Sequence, residues 1–240
     1  MPRFSHRTLA CVSLCVLSLG SPHETLADGI DNDGGFWAMV LAQGSLESLN
    51  PSLDRVIYWF DNQFRMTEDS GGFHQSLVRP ALGYALTDYL DGHFGYAWIH
   101  TDPDGRDAFD EHRIWQQILI SGNVGPVGLA SRTRLEQRFF EHDSETGWRF
   151  REFVKLAYPM PFEPRLGVAA YEEIFFDVNE TERSGAAGFD QNRLFAGLSW
   201  KFDAEWNTKL EVGYLNQFIR NRVDEDKMNH ILNVNMFFNF

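Results

Sequence analysis

From Met228 to Phe240 the chain reads M-N-H-I-L-N-V-N-M-F-F-N-F. Asn233, Asn235 and Asn239 alternate with Leu232, Val234, Met236, Phe238 and Phe240. In a strand, successive side chains point to opposite faces. An unbroken apolar face opposite a polar one suits a strand with lipid on one side and a polar lumen on the other. The feature constrains the whole chain, because such a strand satisfies its backbone only inside a closed barrel.

Both ends of the sequence favour an outer-membrane location. The aromatic ending, with apolar residues two and four places before Phe240, resembles the signal by which bacterial outer-membrane barrels are recognised for assembly. At the other end, Arg3 and Arg7 precede the apolar stretch Leu9–Leu19, and Thr25-Leu26-Ala27 offers a cleavage site before Asp28. This is the layout of a secretory signal peptide. A membrane anchor is the alternative, but the stretch falls short of the ~20 apolar residues a spanning helix needs. Cys11 and Cys15 both lie in the leader, and neither is placed for a lipoprotein site. The expected organisation is a signal peptide over 1–27 and a single outer-membrane barrel domain over 28–240. The mature part then carries no thiol or disulfide.

Composition by itself would suggest a soluble acidic domain, since mean hydropathy is −0.33. A barrel hides its membrane band, however, because every second residue faces inward. Eleven segments read as strands: 35–46, 54–66, 73–86, 90–101, 110–121, 127–140, 147–158, 165–177, 189–202, 206–220 and 228–240. Leu194, Ala196, Leu198, Trp200 and Phe202 share one face, opposite Arg193, Phe195, Gly197, Ser199 and Lys201. Runs of this length fit tilted spanning strands, which need about 9–11 residues. The connections at 86–91, 122–126, 159–164 and 203–206 are short or rich in Gly and Pro. Those at 66–72, 102–110, 141–147, 178–188 and 221–227 are more acidic. The two kinds alternate, as periplasmic turns and external loops do.

Aromatic residues near the turns (Tyr84, Tyr89, Tyr158, Phe162, Trp200 and Trp206) suggest one interfacial girdle. Trp98, Phe139, Phe140, Trp148, Phe175, Phe176 and Phe218 suggest the other. Bacterial single-chain barrels normally have an even strand number, and 35–46 would run downward from the outside. The fold class expected is therefore an all-β transmembrane antiparallel barrel of ten strands, with twelve as the next choice.

The charged residues form an inward ladder. Arg132, Arg134, Glu136 and Arg138 recur at period two opposite Thr133, Leu135 and Phe139. Glu111, Arg113 and Gln117 repeat the pattern on the preceding strand, as do Arg149, Arg151 and Lys155 on the next. Arg79, Glu173, Arg193 and Glu211 add further charges. A lipid-facing Arg or Lys at mid-bilayer costs ~2–4 kcal/mol, so the ladder belongs in the lumen. It reads either as a salt-bridged plug or as an anion-selective lining.

The run Arg132–Phe140, with Phe189-Asp-Gln-Asn-Arg193-Leu-Phe-Ala-Gly197-Leu, Tyr171-Glu-Glu173-Ile-Phe175 and Leu210-Glu-Val-Gly-Tyr214, resembles the bacterial family known as domain of unknown function 2490. The resemblance implies a secreted outer-membrane barrel and brings no activity with it, hence no catalytic residue.

Other candidates are weaker. Asp102-Pro-Asp104-Gly105-Arg-Asp107 and Asp31-Asn-Asp33-Gly34 are reminiscent of calcium turns but lack a full ligand set. His142 between Glu141 and Asp143, His100 near Asp102, His112 beside Glu111 and His230 near Asp226 would serve a rim enzyme, without diagnostic spacing. No cofactor or metal is called for. A formal net charge of −13 argues against nucleic acid. The expected partners are outer-membrane lipid, lipopolysaccharide and the barrel-assembly machinery. The reading is a barrel with a charged, largely filled lumen, structural or passing a small anionic solute. A rim enzyme acting on lipid or peptide, and a partner-binding barrel using acidic loops, are the alternatives.

Overall fold

A computed structural model describes residues 29–103, 105–141, 143–183, 185–202, 207–221 and 225–240. The expected leader 1–27, its cleavage site before Asp28, and Asp104, His142 and Trp206 lie outside the described residues. Eleven strands follow in order: β1 Ile30–Ser45, β2 Val56–Thr67, β3 Gly72–Thr87, β4 Leu90–Thr101, β5 Phe109–Val124, β6 Val127–Phe140, β7 Thr146–Met160, β8 Glu163–Asp177, β9 Gly188–Lys201, β10 Thr208–Ile219 and β11 Asp226–Asn239. Each pairs with its sequence neighbour, and β1 pairs with β11 to close the barrel.

The expected count of ten, or twelve, is therefore corrected to eleven. The first segment is a full wall strand. It runs in the same direction as β11 and pairs with it in parallel, from Ile30 opposite Asp226 to Gln43 opposite Asn239. On its other side it pairs antiparallel with β2. An up-and-down meander of odd strand number can close only through one parallel pair, so parity alone could not exclude eleven. Leu46–Ser48 and Pro51–Leu53 form two 3-10 turns that carry the chain from β1 to β2.

The extension of β1 to Ile30 also corrects the reading of Asp31–Gly34 as a turn. Those residues pair with Lys227–His230. Asp33 is buried and accepts from the backbone N–H groups of Glu68 and Asp69.

The two ends of the barrel differ in their connections. Residues 88–89, 125–126 and 161–162 each join two strands as two-residue turns. Gly125, with φ of +59°, supplies the left-handed conformation that the β5–β6 turn needs. At the opposite end, residues 102–108 and 178–187 make longer loops.

Alternation sorts the wall into two faces. Phe94, Ile118, Val154, Leu198, Val212 and Leu232 are exposed on the outside, and similar residues continue around the circumference. The inner face mixes charge with apolar packing. Leu41, Trp59, Leu77, Ala97, Ile99 and Trp115 form one buried cluster, and Trp37, Ala169, Phe195, Leu215 and Ile231 form another.

Two members of the expected outer girdle belong inside. Phe140 and Phe175 are buried, under the guanidinium groups of Arg138 and Arg151 respectively. Each has an aromatic neighbour in sequence, Phe139 and Phe176, and adjacent strand residues must take opposite faces. Polar residues on the outer face are paired with one another. Gln116 and Gln137 exchange two hydrogen bonds of 3.0 Å. Ser131 and Thr133 donate to Glu152, and Asn192 donates to Glu172.

Candidate functional site

Strands β5 to β8 build the centre of the lumen. Glu136, fully buried, accepts from Arg151 Nη1 at 2.6 Å and from Arg113 Nη1 at 3.1 Å, with Arg134 Nη1 at 3.7 Å. Glu111 accepts from both Arg113 and Arg138, each through Nε and Nη2. Glu173 accepts from Arg132 at 2.5 Å and from Arg151 at 2.7 Å, with Arg193 Nη1 at 3.9 Å. Bidentate guanidinium–carboxylate contacts of this kind fix geometry as well as charge. The network thus joins Arg113, Arg132, Arg134, Glu136, Arg138, Glu111, Arg151, Glu173 and Arg193 in one buried layer.

The remaining sequence candidates sit at its margins. Arg79 pairs with Asp61 at 2.8 Å, and Trp59 Nε1 donates to the same carboxylate. Glu211 accepts from Lys155 at 2.6 Å and pairs with Lys209 at 2.9 Å. Sequence reasoning missed Asp61, Arg65, Asp177, Asp190 and Lys209. Asp177 and Asp190 hold Arg149, at 2.8 and 3.1 Å. Parity was the available signal: Asp177 shares it with Glu173, and Asp61 and Arg65 share it with Trp59.

Aromatic rings support the arginines from the wall. Arg134 lies 4.1 Å from the centroid of Trp115, and its Nε and Nη2 donate to Gln117 Oε1. Trp115 lies against the wall because its neighbour on β4 is Gly95. A Cβ at Gly95 would stand 2.4 Å from Trp115 Cε2. Arg132 lies 4.5 Å from the Phe153 centroid in the same manner. Such contacts offset part of the cost of desolvating a cation.

Cations exceed carboxylates in this lumen. Arg65, Arg79, Arg113, Arg132, Arg134, Arg138, Arg149, Arg151, Arg193, Lys155 and Lys209 face Asp61, Glu111, Glu136, Glu173, Asp177, Asp190 and Glu211. The positive interior belongs to a chain whose net charge is −13.

The space left inside is divided. A cavity of about 290 Å³ lies toward the short turns, bordered by Lys155, Lys209, Glu211 and Phe237. A cavity of about 680 Å³ lies toward the long loops, bordered by Arg65, Arg113, Arg138 and Arg149. Trp37, Arg79, Arg151 and Arg193 border both. The charged layer therefore stands between two vestibules.

The described histidine candidates, His100, His112 and His230, do not gather. His112 Nδ1 meets the Tyr96 hydroxyl at 2.5 Å, and His230 Nδ1 meets that of Tyr214 at 2.6 Å, each pair stacked on the outer face. His100 pairs with Asp110 at 2.7 Å rather than with Asp102. Among the described residues, no three His, Cys, Asp or Glu side chains converge as metal ligands.

Fold and site together define a closed, eleven-stranded β-barrel with a salt-bridged interior. Residues 34–229 match the family described as protein of unknown function (DUF2490), and the chain belongs to that family. It is 30% identical over 234 residues to an uncharacterised protein of Methylorubrum extorquens, an alignment covering 97% of each chain. No solved structure matches it.

Proposed function

We propose that this protein is an integral barrel of the bacterial outer membrane whose lumen is sealed at mid-height. On this reading it acts as a membrane-spanning structural element, with leakage limited to small anions. The outward apolar face carries the reading, since exposed Phe, Leu, Ile, Val and Tyr side chains recur on strand after strand around the barrel. Proteins in water rarely expose a contiguous apolar patch above a few hundred Å², whereas a lipid-facing wall requires one. The Tyr96–His112 and Tyr214–His230 pairs place amphipathic rings on that wall, as interfacial anchors do. The Glu136 network favours a plug over a wide pore, because its charges are spent on one another. The partners of such a protein are outer-membrane lipid, lipopolysaccharide and the barrel-assembly machinery.

Fractionation and conductance test the two halves separately. The protein should be recovered with outer membranes, and unboiled samples should migrate differently from boiled ones in detergent gels. Recovery as a soluble periplasmic protein would remove the membrane reading. In planar bilayers it should give no steady large conductance. A stable open state of nanosiemens size would replace the plug with a pore.

A further inference from the structure

Most inner-wall arginines have a carboxylate within 4 Å, but Arg65 on β2 has none among the described residues. Its Nη1 donates to Gln75 Oε1 at 2.7 Å and its Nη2 to Gln63 Oε1 at 2.8 Å. These amides hold the guanidinium in place without cancelling its charge. It is 8% exposed, and it borders the same cavity as Arg79, Arg113, Arg151 and Arg193.

Arg193 is nearly as isolated. Its Nη2 donates to Gln191, and its closest carboxylate, Glu173, already serves Arg132 and Arg151. Both guanidinium groups stack on one indole, at 4.1 Å (Arg65) and 4.9 Å (Arg193) from the Trp37 ring centroid.

Three N–H donors at this spot are buried without an acceptor among the described residues: Arg65 Nε, Arg193 Nε and Trp37 Nε1. All three residues border the 680 Å³ cavity on the long-loop side. Buried donors are ordinarily satisfied, and an unpaired buried cation is unfavourable. A ligand with negatively charged oxygens would meet both needs at once.

We propose that Trp37, Arg65 and Arg193 form a binding site for a small oxyanion, of the phosphate or carboxylate class, in the loop-side vestibule. The site uses the lumen of the closed-barrel reading but does not depend on membrane location. The sealed layer beneath it makes it a holding site rather than a conduit.

Calorimetric titration of the folded full-length protein in detergent, at constant ionic strength, tests the proposal. Inorganic phosphate and acetate are the two probes. At least one should bind saturably, with one site per chain. Arg65→Gln should weaken that binding about tenfold or more, the scale of one charged hydrogen bond. Trp37→Phe, which keeps a ring but removes the N–H, should weaken it severalfold and secures the test should Arg65→Gln unfold the barrel. Arg106→Gln, at a loop residue that also borders the cavity, should weaken it less than Arg65→Gln. Absence of saturable binding of either anion overturns the site, as does wild-type affinity in Trp37→Phe or in folded Arg65→Gln. An equal loss in Arg106→Gln would reduce the effect to general attraction into the vestibule and overturn it too. Conductance reads the plug separately: an open pore with intact binding would break the sealed-lumen reading and leave the site standing.

Discussion

Strands β6 and β7 carry polar side chains on both faces, and the two faces accommodate them differently. On the inside, Glu136 is fully buried among Arg113, Arg134 and Arg151. On the outside, Glu152 accepts from the hydroxyls of Ser131 and Thr133, with no ion pair among the described residues. The inner carboxylate has several cations to balance, so its removal affects every partner. The outer one is held by two neutral donors from the adjacent strand, so its charge balances nothing. Position relative to the wall, rather than residue type, sets what each glutamate contributes.

The largest expected effect follows from that contrast. Glu136→Leu should leave Arg113, Arg134 and Arg151 with a surplus of charge in a buried layer. Breaking one side of a buried ion pair costs ~3–5 kcal/mol. Because Glu136 serves three arginines, the loss should sit at the upper end of that range. Urea unfolding of barrels refolded into lipid vesicles reads it, and an unchanged midpoint would mean that the inner network does not support the fold. Conductance measured on the same variant shows whether the loosened layer admits ions.

A smaller effect is expected one step back from the charges. Gly95→Val would drive a side chain into the space that Trp115 occupies and displace the ring beneath Arg134. Overpacking costs ~1–3 kcal/mol. The indole fluorescence should shift as stability falls, and a variant losing neither would remove Gly95 from the explanation of where Arg134 stands.

Along the middle of β11 the lumen wall changes character, from ions to amides and apolar groups. Asn235 donates to Asn233 at 2.5 Å along β11, and Gln43 donates to Asn239 at 2.7 Å across the parallel seam between β1 and β11. Asn235→Leu removes one neutral hydrogen bond and should cost about 1 kcal/mol. A loss matching that of Glu136→Leu would show that the ionic and amide halves bear equal weight.

How much of this could be read in the sequence depends on what alternation can encode. The ladder Arg132, Arg134, Glu136, Arg138 was legible because four charges share a parity and a lipid-facing alternative is unfavourable. The eleven segments were legible for the same reason. Closure was not, because period two says which face a residue takes and nothing about which strands become neighbours. The parallel β1–β11 seam is a long-range choice. It brings Trp37 on β1 toward Arg193 on β9, which no local pattern foretells. Phe140 and Phe175 were misplaced although parity groups them with Arg138 and Glu173 on the inner face: an aromatic doublet puts one ring on each face, and composition alone assigns both to a girdle. Arg65 was overlooked because its partners, Gln63 and Gln75, are uncharged and form no ladder.

The smallest expected effect comes from the outer face. Glu152 lies near the middle of β7, where, on the proposed membrane reading, a carboxylate facing lipid is disfavoured, though less than Arg or Lys. Ser131 and Thr133 supply donors that soften this cost. Glu152→Gln keeps one acceptor oxygen, lets the other hydroxyl turn and accept from the amide nitrogen, and removes the charge. Stability in vesicles should therefore rise, by less than about 1 kcal/mol, the scale of one neutral hydrogen bond. The same change in detergent, where water reaches the wall more freely, should be close to neutral. The difference between the two media isolates the lipid contribution, which no measurement on Glu136 can do. A marked loss of stability in vesicles would mean that Glu152 faces something other than lipid. The paired polar groups across β5 to β9 would then have to be read as a contact surface within the membrane.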